Sequence, residues 1–148
     1  MSIINCIEHN FKNAIIPKCS EHGCSLKLDD LSNYVVLKGE NVCKSQPICD
    51  CIIFLENTNI IGIIELKSKT AHSSEIEAKL TNGSKIALEI LKMCNDIKYK
   101  FYHIVLAKRW RSSEYRVITQ KKIKIEGKKY NIIPKRCGTY FSAVITRL

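Results

Sequence analysis

The sequence predicts a mixed α/β fold in which helices pack on a central sheet. Three patterns indicate it: a short amphipathic helical segment at the start, two apolar strands joined by a tight turn, and a long amphipathic helix that leads to a further apolar strand. The chain has 148 residues, which is enough for one domain with a hydrophobic core. Because no repeat or Pro/Gly/Ser-rich linker interrupts it, we expect residues 1–148 to form a single domain.

The first half of the chain carries the pattern of one helix and three strands. Apolar side chains recur at helical spacing up to Pro17, which cannot continue a helix. The polar stretch that follows contains cysteines and predicts a loop. The predicted elements are a helix over 3–16, a loop over 18–33, strands over 34–37, 48–55 and 60–67, and turns at 38–40 and 56–59.

The second half predicts a long helix, a central strand and a β-rich C-terminal extension. Ser74 and Glu77 have the spacing of a capping box, so we expect a helix over about residues 75–93. Residues 101–107 are almost continuously apolar, which is typical of a central strand covered on both faces. The remaining residues alternate, and Gly127 suits a hairpin turn. They predict strands over 115–119, 121–125, 130–133 and 140–145.

Composition indicates the class of partner. The formal net charge is +10, and a surplus of this size favours a polyanionic partner, of which nucleic acid is the commonest. No apolar run approaches the ~20 residues that a membrane span needs, and the first residues lack the pattern of a secretory signal. We therefore expect no membrane partner and an intracellular, cytoplasmic location.

Two acidic residues and a lysine lie on the adjacent apolar strands. Side chains alternate along a strand, so Glu65 and Lys67 share one face while Leu66 points the other way. Asp50 is at the start of the preceding strand, at a similar offset from the turn at 56–59. A hairpin would therefore bring Asp50 and Glu65 opposite each other, about 5 Å apart at Cβ.

This pairing suits a metal ion that cleaves a phosphodiester. Two carboxylates at that distance repel each other unless a cation lies between them, and Mg²⁺ or Mn²⁺ prefers oxygen ligands. We expect the carboxylates of Asp50 and Glu65 and the carbonyl of Leu66 to bind one ion, which can activate water and neutralise growing charge. Lys67 can orient the water or neutralise the phosphate. The alternative is an ordinary ion pair between Glu65 and Lys67 at a solvated strand end.

These residues resemble the motif of the PD-(D/E)xK nuclease superfamily. The match consists of Asp50, a fourteen-residue gap and then Glu65-Leu66-Lys67, followed by a helix. The proline of the motif is displaced, since Pro47 lies three residues before the aspartate. The resemblance covers about residues 34–107. It implies a restriction-endonuclease-like core and a Mg²⁺-dependent deoxyribonuclease, an endonuclease rather than an exonuclease.

The resemblance also implies two further catalytic residues. Many members place a glutamine or lysine on the helix after the motif, and Lys79 is in that position here. Its alternative role is an exposed helix lysine. Members usually add a carboxylate from an N-terminal helix, for which Glu8 is the favoured candidate because it borders the apolar stripe of that helix. The competing carboxylates are Glu21, Asp29, Asp30 and Glu40.

Basic residues after the central strand are candidates for nucleic-acid binding. Trp110 lies among them and could stack on a base, or it could cap the core while the basic residues are solvated. Lysines in the predicted C-terminal hairpin could bind phosphates or protect a sheet edge. The candidates are Lys108, Arg109, Trp110, Arg111, Lys121 and Lys124.

The chain contains eight cysteines, whose state the sequence leaves open. Cys49 and Cys51 flank Asp50, so strand alternation predicts that both point away from the site and pack under the covering helix. Cys19 and Cys24 could form a short-range disulfide, remain free thiols, or join a zinc site. The other candidate zinc ligands are Cys6, His9, His22 and Cys43.

The sequence therefore predicts a DNA nuclease, with one main rival. A nucleic-acid-binding module of the same fold without catalytic activity would have the same charge and core. The complete set of Asp50, Glu65 and Lys67 argues against that rival. A homodimer is a further expectation, since symmetric cleavage of two strands needs two sites.

Overall fold

A computed structural model of the chain describes residues 2–67, 73–94 and 98–145. Within these residues, five α-helices and nine strands form a mixed α/β fold, as predicted. The helices are α1 (Ile3–Asn10), α2 (Gly39–Val42), α3 (Ser73–Cys94), α4 (Ser112–Gln120) and α5 (Phe141–Ile145). The strands are β1 (Ile15–Ile16), β2 (Cys19–Glu21), β3 (Cys24–Leu26), β4 (Tyr34–Lys38), β5 (Cys51–Leu55), β6 (Ile60–Lys67), β7 (Lys100–Ala107), β8 (Lys122–Ile125) and β9 (Lys128–Arg136).

Seven of these strands form one mixed sheet, in the order β1-β4-β5-β6-β7-β9-β8. The pairs β6–β7 and β7–β9 are parallel, and the other pairs are antiparallel. The carboxyl ends of β6, β7 and β9 therefore lie at one edge of the sheet. Strands β2 and β3 form a separate hairpin.

The sheet is covered on both faces, which accounts for the nearly continuous apolar sequences of β5, β6 and β7. One face packs against α1 and α3, where Ile7, Ile76 and Leu80 are fully buried. The other face packs against the β2–β3 hairpin and α5, where Cys19 and Phe141 are fully buried. Burial at this scale is the main source of stability, and the prediction of a central strand over 101–107 is confirmed.

The C-terminal part differs from the predicted β-rich extension. Residues 115–119 lie in α4, and most of residues 140–145 lie in α5, so both strand predictions are wrong. Strand β9 joins the main sheet parallel to β7 instead of forming an extension. Parallel neighbours need a long crossover connection, which α4 and β8 supply. In α5, the buried residues Phe141, Val144 and Ile145 have helical rather than alternating spacing.

Smaller differences concern the N-terminal half. The first helix ends at Asn10, well before Pro17, and the predicted loop over 18–33 contains the β2–β3 hairpin. The residues after β4 form the short helix α2 rather than a turn. Helix α3 already includes Ser73, so Ser74 is inside its first turn and is not the N-cap.

The structure pairs six cysteines in a way that the sequence did not predict. The pairs are Cys6–Cys94, Cys19–Cys51 and Cys24–Cys137, with Cα–Cα distances of 5.7, 6.0 and 4.9 Å. Two alternatives for Cys19 and Cys24, a bridge between them and free thiols, are wrong, because each of these residues is paired with a distant cysteine. The zinc alternative is also wrong, since its ligands Cys6, Cys19 and Cys24 are oxidised in these pairs.

Neither compartment nor membrane contact is decided by these features. Disulfides persist in oxidising compartments and also inside cells of hyperthermophiles, so the cytoplasmic location stays a prediction. None of the helices in the described part of the chain combines the length and the apolar character that crossing a membrane requires.

Candidate active site

The register of the β5–β6 hairpin brings the two acidic residues together. Cys51 pairs with Ile64, so one further step along both strands places Asp50 opposite Glu65. Asp50 lies just outside β5, and its Oδ2 accepts a hydrogen bond of 2.7 Å from the backbone N–H of Leu66. This bond keeps the Asp50 carboxylate at the end of β6. The predicted juxtaposition of Asp50 and Glu65 is thus present in the structure.

Glu65 is a buried carboxylate that contacts two lysines. Its side chain is only 1% exposed. Lys67 Nζ lies 2.8 Å and Lys79 Nζ lies 3.3 Å from Glu65 Oε2. The other oxygen, Oε1, is buried and has no hydrogen-bond partner among the described residues. Because buried oxygens are usually hydrogen-bonded, Glu65 retains the capacity to accept one more cation or donor.

Asp50 is in an unusually acidic environment. Burial, followed by the charge of Glu65, raises the pKa of Asp50 to about 8, although the hydrogen bond from Leu66 opposes the shift. A hydrogen bond with Glu21 and the charge of Glu21 are smaller contributions to the same rise in pKa. Burial and the neighbouring carboxylates therefore destabilise the ionised form of Asp50 in the absence of a cation.

Among the competing carboxylates, Glu21 is the one that interacts with Asp50. It ends β2, and the Cys19–Cys51 disulfide ties that strand to β5 beside Asp50. The favoured Glu8 is instead exposed on α1, and it is not among the residues that interact with Asp50. Sequence could not have favoured Glu21, because cysteine pairing cannot be deduced from spacing alone.

Helix α3 holds the loop that carries Asp50. The Cys49 N–H donates to the Lys79 carbonyl at 3.2 Å, and Asn82 Nδ2 donates to the Pro47 carbonyl at 2.6 Å. Gly83 permits this approach, since a Cβ there would overlap Cys49 Sγ. The same helix supplies Lys79 to Glu65. Asp50 and Glu65 are therefore positioned by a common element.

The loop is held from its other side by α2. The Gly39 N–H donates to the Asp50 carbonyl at 2.9 Å, and a Cβ on Gly39 would overlap the carbonyl oxygen of Cys49. Cys49 faces α3 as predicted, and burial raises the pKa of its thiol well above the usual range. Cys51 lies on the opposite face of the sheet, in the disulfide with Cys19, so its predicted orientation is wrong. Strand alternation fails here because Cys49 and Asp50 precede β5.

The donor set fits Mg²⁺ better than a metal that requires a full protein cage. Among residues 2–67, 73–94 and 98–145, no group of three or more His, Cys, Asp or Glu side chains could hold an ion. Mg²⁺ commonly binds through one or two carboxylates and keeps several waters. The Leu66 N–H points toward Asp50, and its carbonyl points to the same side because both groups of one strand residue do. Asp50, Glu65 and the Leu66 carbonyl are thus a plausible ligand set for this ion.

A cleft opens beside Asp50 and Lys79. Its volume is about 600 Å³, and its walls include Asp50, Glu21, Lys38, Lys44 and Lys79. Positive and negative side chains therefore line the same space. A phosphate could contact the lysines there while a cation contacts the carboxylates.

The predicted basic residues are placed differently from one another. Lys108 lies beside the turn of the β2–β3 hairpin at Gly23, and Arg111 is the exposed residue that precedes α4. Lys121 pairs with Glu77 at 3.7 Å. Lys124 is exposed on β8, the last strand of the sheet, so protection of an edge accounts for it without a ligand.

Trp110 and Arg109 line a second groove, at the end of β9. The indole N–H of Trp110 donates to the Lys135 carbonyl at 2.7 Å, and its ring packs against the core. The core-capping interpretation of Trp110 is therefore supported. Arg136 also lines this groove, and the sequence analysis did not include it.

His103 is a buried polar residue outside the acidic site. Its Nε2 lies 2.7 Å from Ser84 Oγ, and that hydroxyl donates to the Leu80 carbonyl. The other ring nitrogen, Nδ1, is buried and has no hydrogen-bond partner in the described part of the chain. Burial lowers the pKa of His103 to about 3, which keeps it neutral.

Comparisons of this chain with protein-family models, with curated proteins and with solved structures find no match.

Proposed function

We propose that this chain is a Mg²⁺-dependent nuclease that hydrolyses phosphodiester bonds in DNA, as an endonuclease, with Mn²⁺ as a substitute. The observation that carries the proposal is the environment of Glu65. Two lysines contact one of its oxygens, the buried second oxygen lacks a partner among the described residues, and Asp50 is opposite in the register.

A purely structural ion pair would explain these contacts less well. A buried ion-pair network stabilises a fold only when its polar atoms are satisfied, because each unsatisfied one costs free energy. Here one oxygen of Glu65 is unsatisfied, and Asp50 has a pKa raised to about 8. These two carboxylates cost stability, and a bound cation would remove that cost, which favours a role in cation binding.

Each residue can be given a role in hydrolysis. Asp50, Glu65 and the Leu66 carbonyl would hold Mg²⁺, which when bound supplies charge neutralisation and a more acidic water. Lys67 has a flexible stem and can turn from Glu65 toward a phosphate oxygen or the attacking water. Lys79 would then remain paired with Glu65 and keep a positive charge beside that carboxylate.

The restriction-endonuclease-like fold is part of the proposal. Its support is the arrangement of the antiparallel β5–β6 hairpin, the crossover helix α3 and the parallel strand β7. Asp50 and Lys67 lie at the same end of that hairpin, and α3 returns Lys79 to it. This is the arrangement that the motif resemblance implies.

One observation favours the rival interpretation of a silent nucleic-acid-binding module. No third side chain completes a ligand group with Asp50 and Glu65 in the described residues. Titration with Mn²⁺, followed by electron paramagnetic resonance, separates the two interpretations. The nuclease should bind one ion that Glu65→Gln releases, whereas a silent module should bind none.

The activity itself is tested with a panel of DNA substrates. Junction, flap, single-stranded and linear duplex DNA are incubated with Mg²⁺ and with EDTA. We expect Glu65→Gln and Lys67→Met each to lower the rate by ~10²–10⁴-fold while DNA affinity is retained. Lys92→Met is the matched control, because Lys92 has only an exposed ion pair with Glu126. Full activity of either site variant would contradict the mechanism.

The third carboxylate can be identified by comparing Glu21→Gln with Glu8→Gln. Glu21 interacts with Asp50, so its loss should weaken Mn²⁺ binding and cleavage, whereas loss of the exposed Glu8 should change neither. The reverse result would identify Glu8 as the third carboxylate. The homodimer stays a prediction, for which sedimentation with and without DNA is the direct measurement.

A further inference from the structure

We propose that the groove between the start of α4 and the end of β9 binds an unpaired nucleotide of the DNA strand that reaches the active site. We call it the aromatic groove; it is lined by Arg109, Trp110, Tyr115, Pro134 and Arg136, and its volume is about 720 Å³. The inference rests on the proposed nuclease function for the identity of the strand. It adds the class of substrate: DNA that is single-stranded next to the cut.

The groove presents an aromatic ring that is fixed in place. Tyr115 is 48% exposed, so part of its side chain is accessible to a ligand. Its ring lies 6.2 Å from that of Trp110 at an interplanar angle of 84°, an edge-to-face contact. Trp110 is itself held by its bond to the Lys135 carbonyl. A base can therefore stack on Tyr115 with little loss of side-chain entropy.

The charge around the ring suits a phosphate backbone. Arg109 and Arg136 are exposed in the groove, and Arg116 is exposed in the adjoining one around Tyr115. None of the three forms an ion pair with an acidic side chain in the part of the chain that the structure describes. Arginine donors that are free of protein partners can bind phosphate oxygens in a bidentate manner.

The strand register places the aromatic groove and the acidic site at the same end of the sheet. Lys67 pairs with Ala107, and Ala107 pairs with Arg136, so the three residues lie side by side on one face at the same edge. Two strand spacings separate Lys67 from Arg136, which is about 10 Å. A single strand bound at the acidic site would therefore reach the aromatic groove within a few nucleotides.

The ring of Tyr115 would make the groove bind single-stranded DNA in preference to double-stranded DNA. In a duplex both faces of each base are stacked on neighbours, and only phosphates and groove edges are accessible. Tyr115 would then have no partner, although the arginines would. In a single strand, base stacking on an aromatic ring contributes about 1–3 kcal/mol per base. The groove should therefore favour unpaired nucleotides.

Trp110 provides a direct measurement, because it is the chain's single tryptophan. A thymidylate oligomer and a blunt-ended duplex with the same number of phosphates are titrated in EDTA, so that no cleavage occurs. Binding is followed by fluorescence anisotropy of labelled DNA and by Trp110 emission. We expect the single strand, and not the duplex, to change Trp110 emission at saturation.

Three variants test the role of the ring. Tyr115→Leu keeps the apolar volume without the ring and should weaken single-strand binding by about 5- to 150-fold, with duplex binding unchanged. Tyr115→Phe keeps the ring and should bind within about twofold of the parent. Val117→Ala, at an exposed site of the same helix outside the groove, is the control.

Each outcome bears on one proposal. The proposal for the aromatic groove would be overturned if Tyr115→Leu affected both DNA forms equally or affected neither. It would also be overturned if Trp110 emission did not change at saturation. Because these measurements need no metal, they stand if cleavage is never observed. Cleavage of single-stranded DNA with an undiminished rate and affinity in Tyr115→Leu would overturn the groove and leave the nuclease intact.

Discussion

A methyl group at Gly83 should disturb the active site through Cys49. Gly83 lies in α3 where the loop that carries Asp50 crosses the helix, and a Cβ there would overlap Cys49 Sγ. The sulfur is buried in a packed core, so it can reach ordinary contact only if the loop moves by about 1 Å. Asp50 is the next residue and must move with the loop.

The magnitude follows from opposing effects in Gly83→Ala. Overpacking costs about 1–3 kcal/mol, and alanine in place of glycine inside a helix gains about 1 kcal/mol. The free energy of unfolding should therefore fall by at most about 2 kcal/mol, which lowers Tm by less than about 8 °C. Cleavage should suffer more, because a displacement of about 1 Å at a catalytic group can cost 10²-fold.

The assay is a double-mutant cycle with Cys49→Ala. Without the sulfur, the atoms nearest to the new methyl group are Ile63 Cγ2 at 3.2 Å and Cys49 Cβ at 3.5 Å, which need little adjustment. The double variant should regain most of the activity and stability that Gly83→Ala loses. Thermal unfolding and the Mg²⁺-dependent rate are measured for all four proteins, and we expect a coupling free energy of about 1–3 kcal/mol.

Two results would refute this reasoning. If the two substitutions were additive within about 0.5 kcal/mol, the sulfur would not be the obstacle. If Gly83→Ala kept full activity, the position of Asp50 would not depend on α3, or Asp50 would not take part in the reaction.

Two further predictions concern pH and salt. Burial lowers the folded-state pKa of His103 from 6.5 to about 3, so the unfolded chain binds more protons than the folded chain between these pH values. The free energy of unfolding should therefore fall by a few kcal/mol as the pH drops from about 6.5 toward 3. His103→Leu should flatten this part of the dependence of stability on pH, measured by urea denaturation. If the pH dependence of stability were unchanged in His103→Leu, the lowered pKa of His103 would not be its cause. DNA affinity should fall with a log–log salt slope of about −0.9 per phosphate contacted, and Arg109→Gln or Arg136→Gln should each reduce the slope by about 1. A slope near zero in the parent would leave the +10 charge without this explanation.

The central pair of the candidate site was predictable because it depends on a local hairpin. The turn at 56–59 joins two strands directly, so equal offsets from the turn place Asp50 opposite Glu65. Period-two alternation then places Lys67 on the face of Glu65. The salt bridge between Lys79 and Glu65 has a similar origin, because α3 is the next described element along the chain after β6.

The C-terminal errors have a different cause. The alternating pattern over residues 115–119 has β-branched and aromatic side chains, yet this segment forms α4. Its conformation follows from the parallel pairing of β9 with β7, which requires a crossover. Intrinsic propensity is weak compared with such tertiary constraints. The same error concealed Arg136 and the aromatic groove, because the sequence predicted β9 as part of a separate extension and not as a neighbour of β7.

The sequence by itself determined the elements whose pattern is long or whose partner is adjacent in the chain. These are the mixed α/β class, the β5–β6 hairpin with Asp50 and Glu65, the long helix α3 and the buried strand β7. Only the tertiary structure decided what depends on distant partners: the disulfide that brings Glu21 to Asp50, the close packing at Gly83, and the row from Lys67 to Arg136. Local patterns reflect periodicity along the chain, whereas contacts between remote segments depend on how a whole core packs, and no short stretch of sequence encodes that.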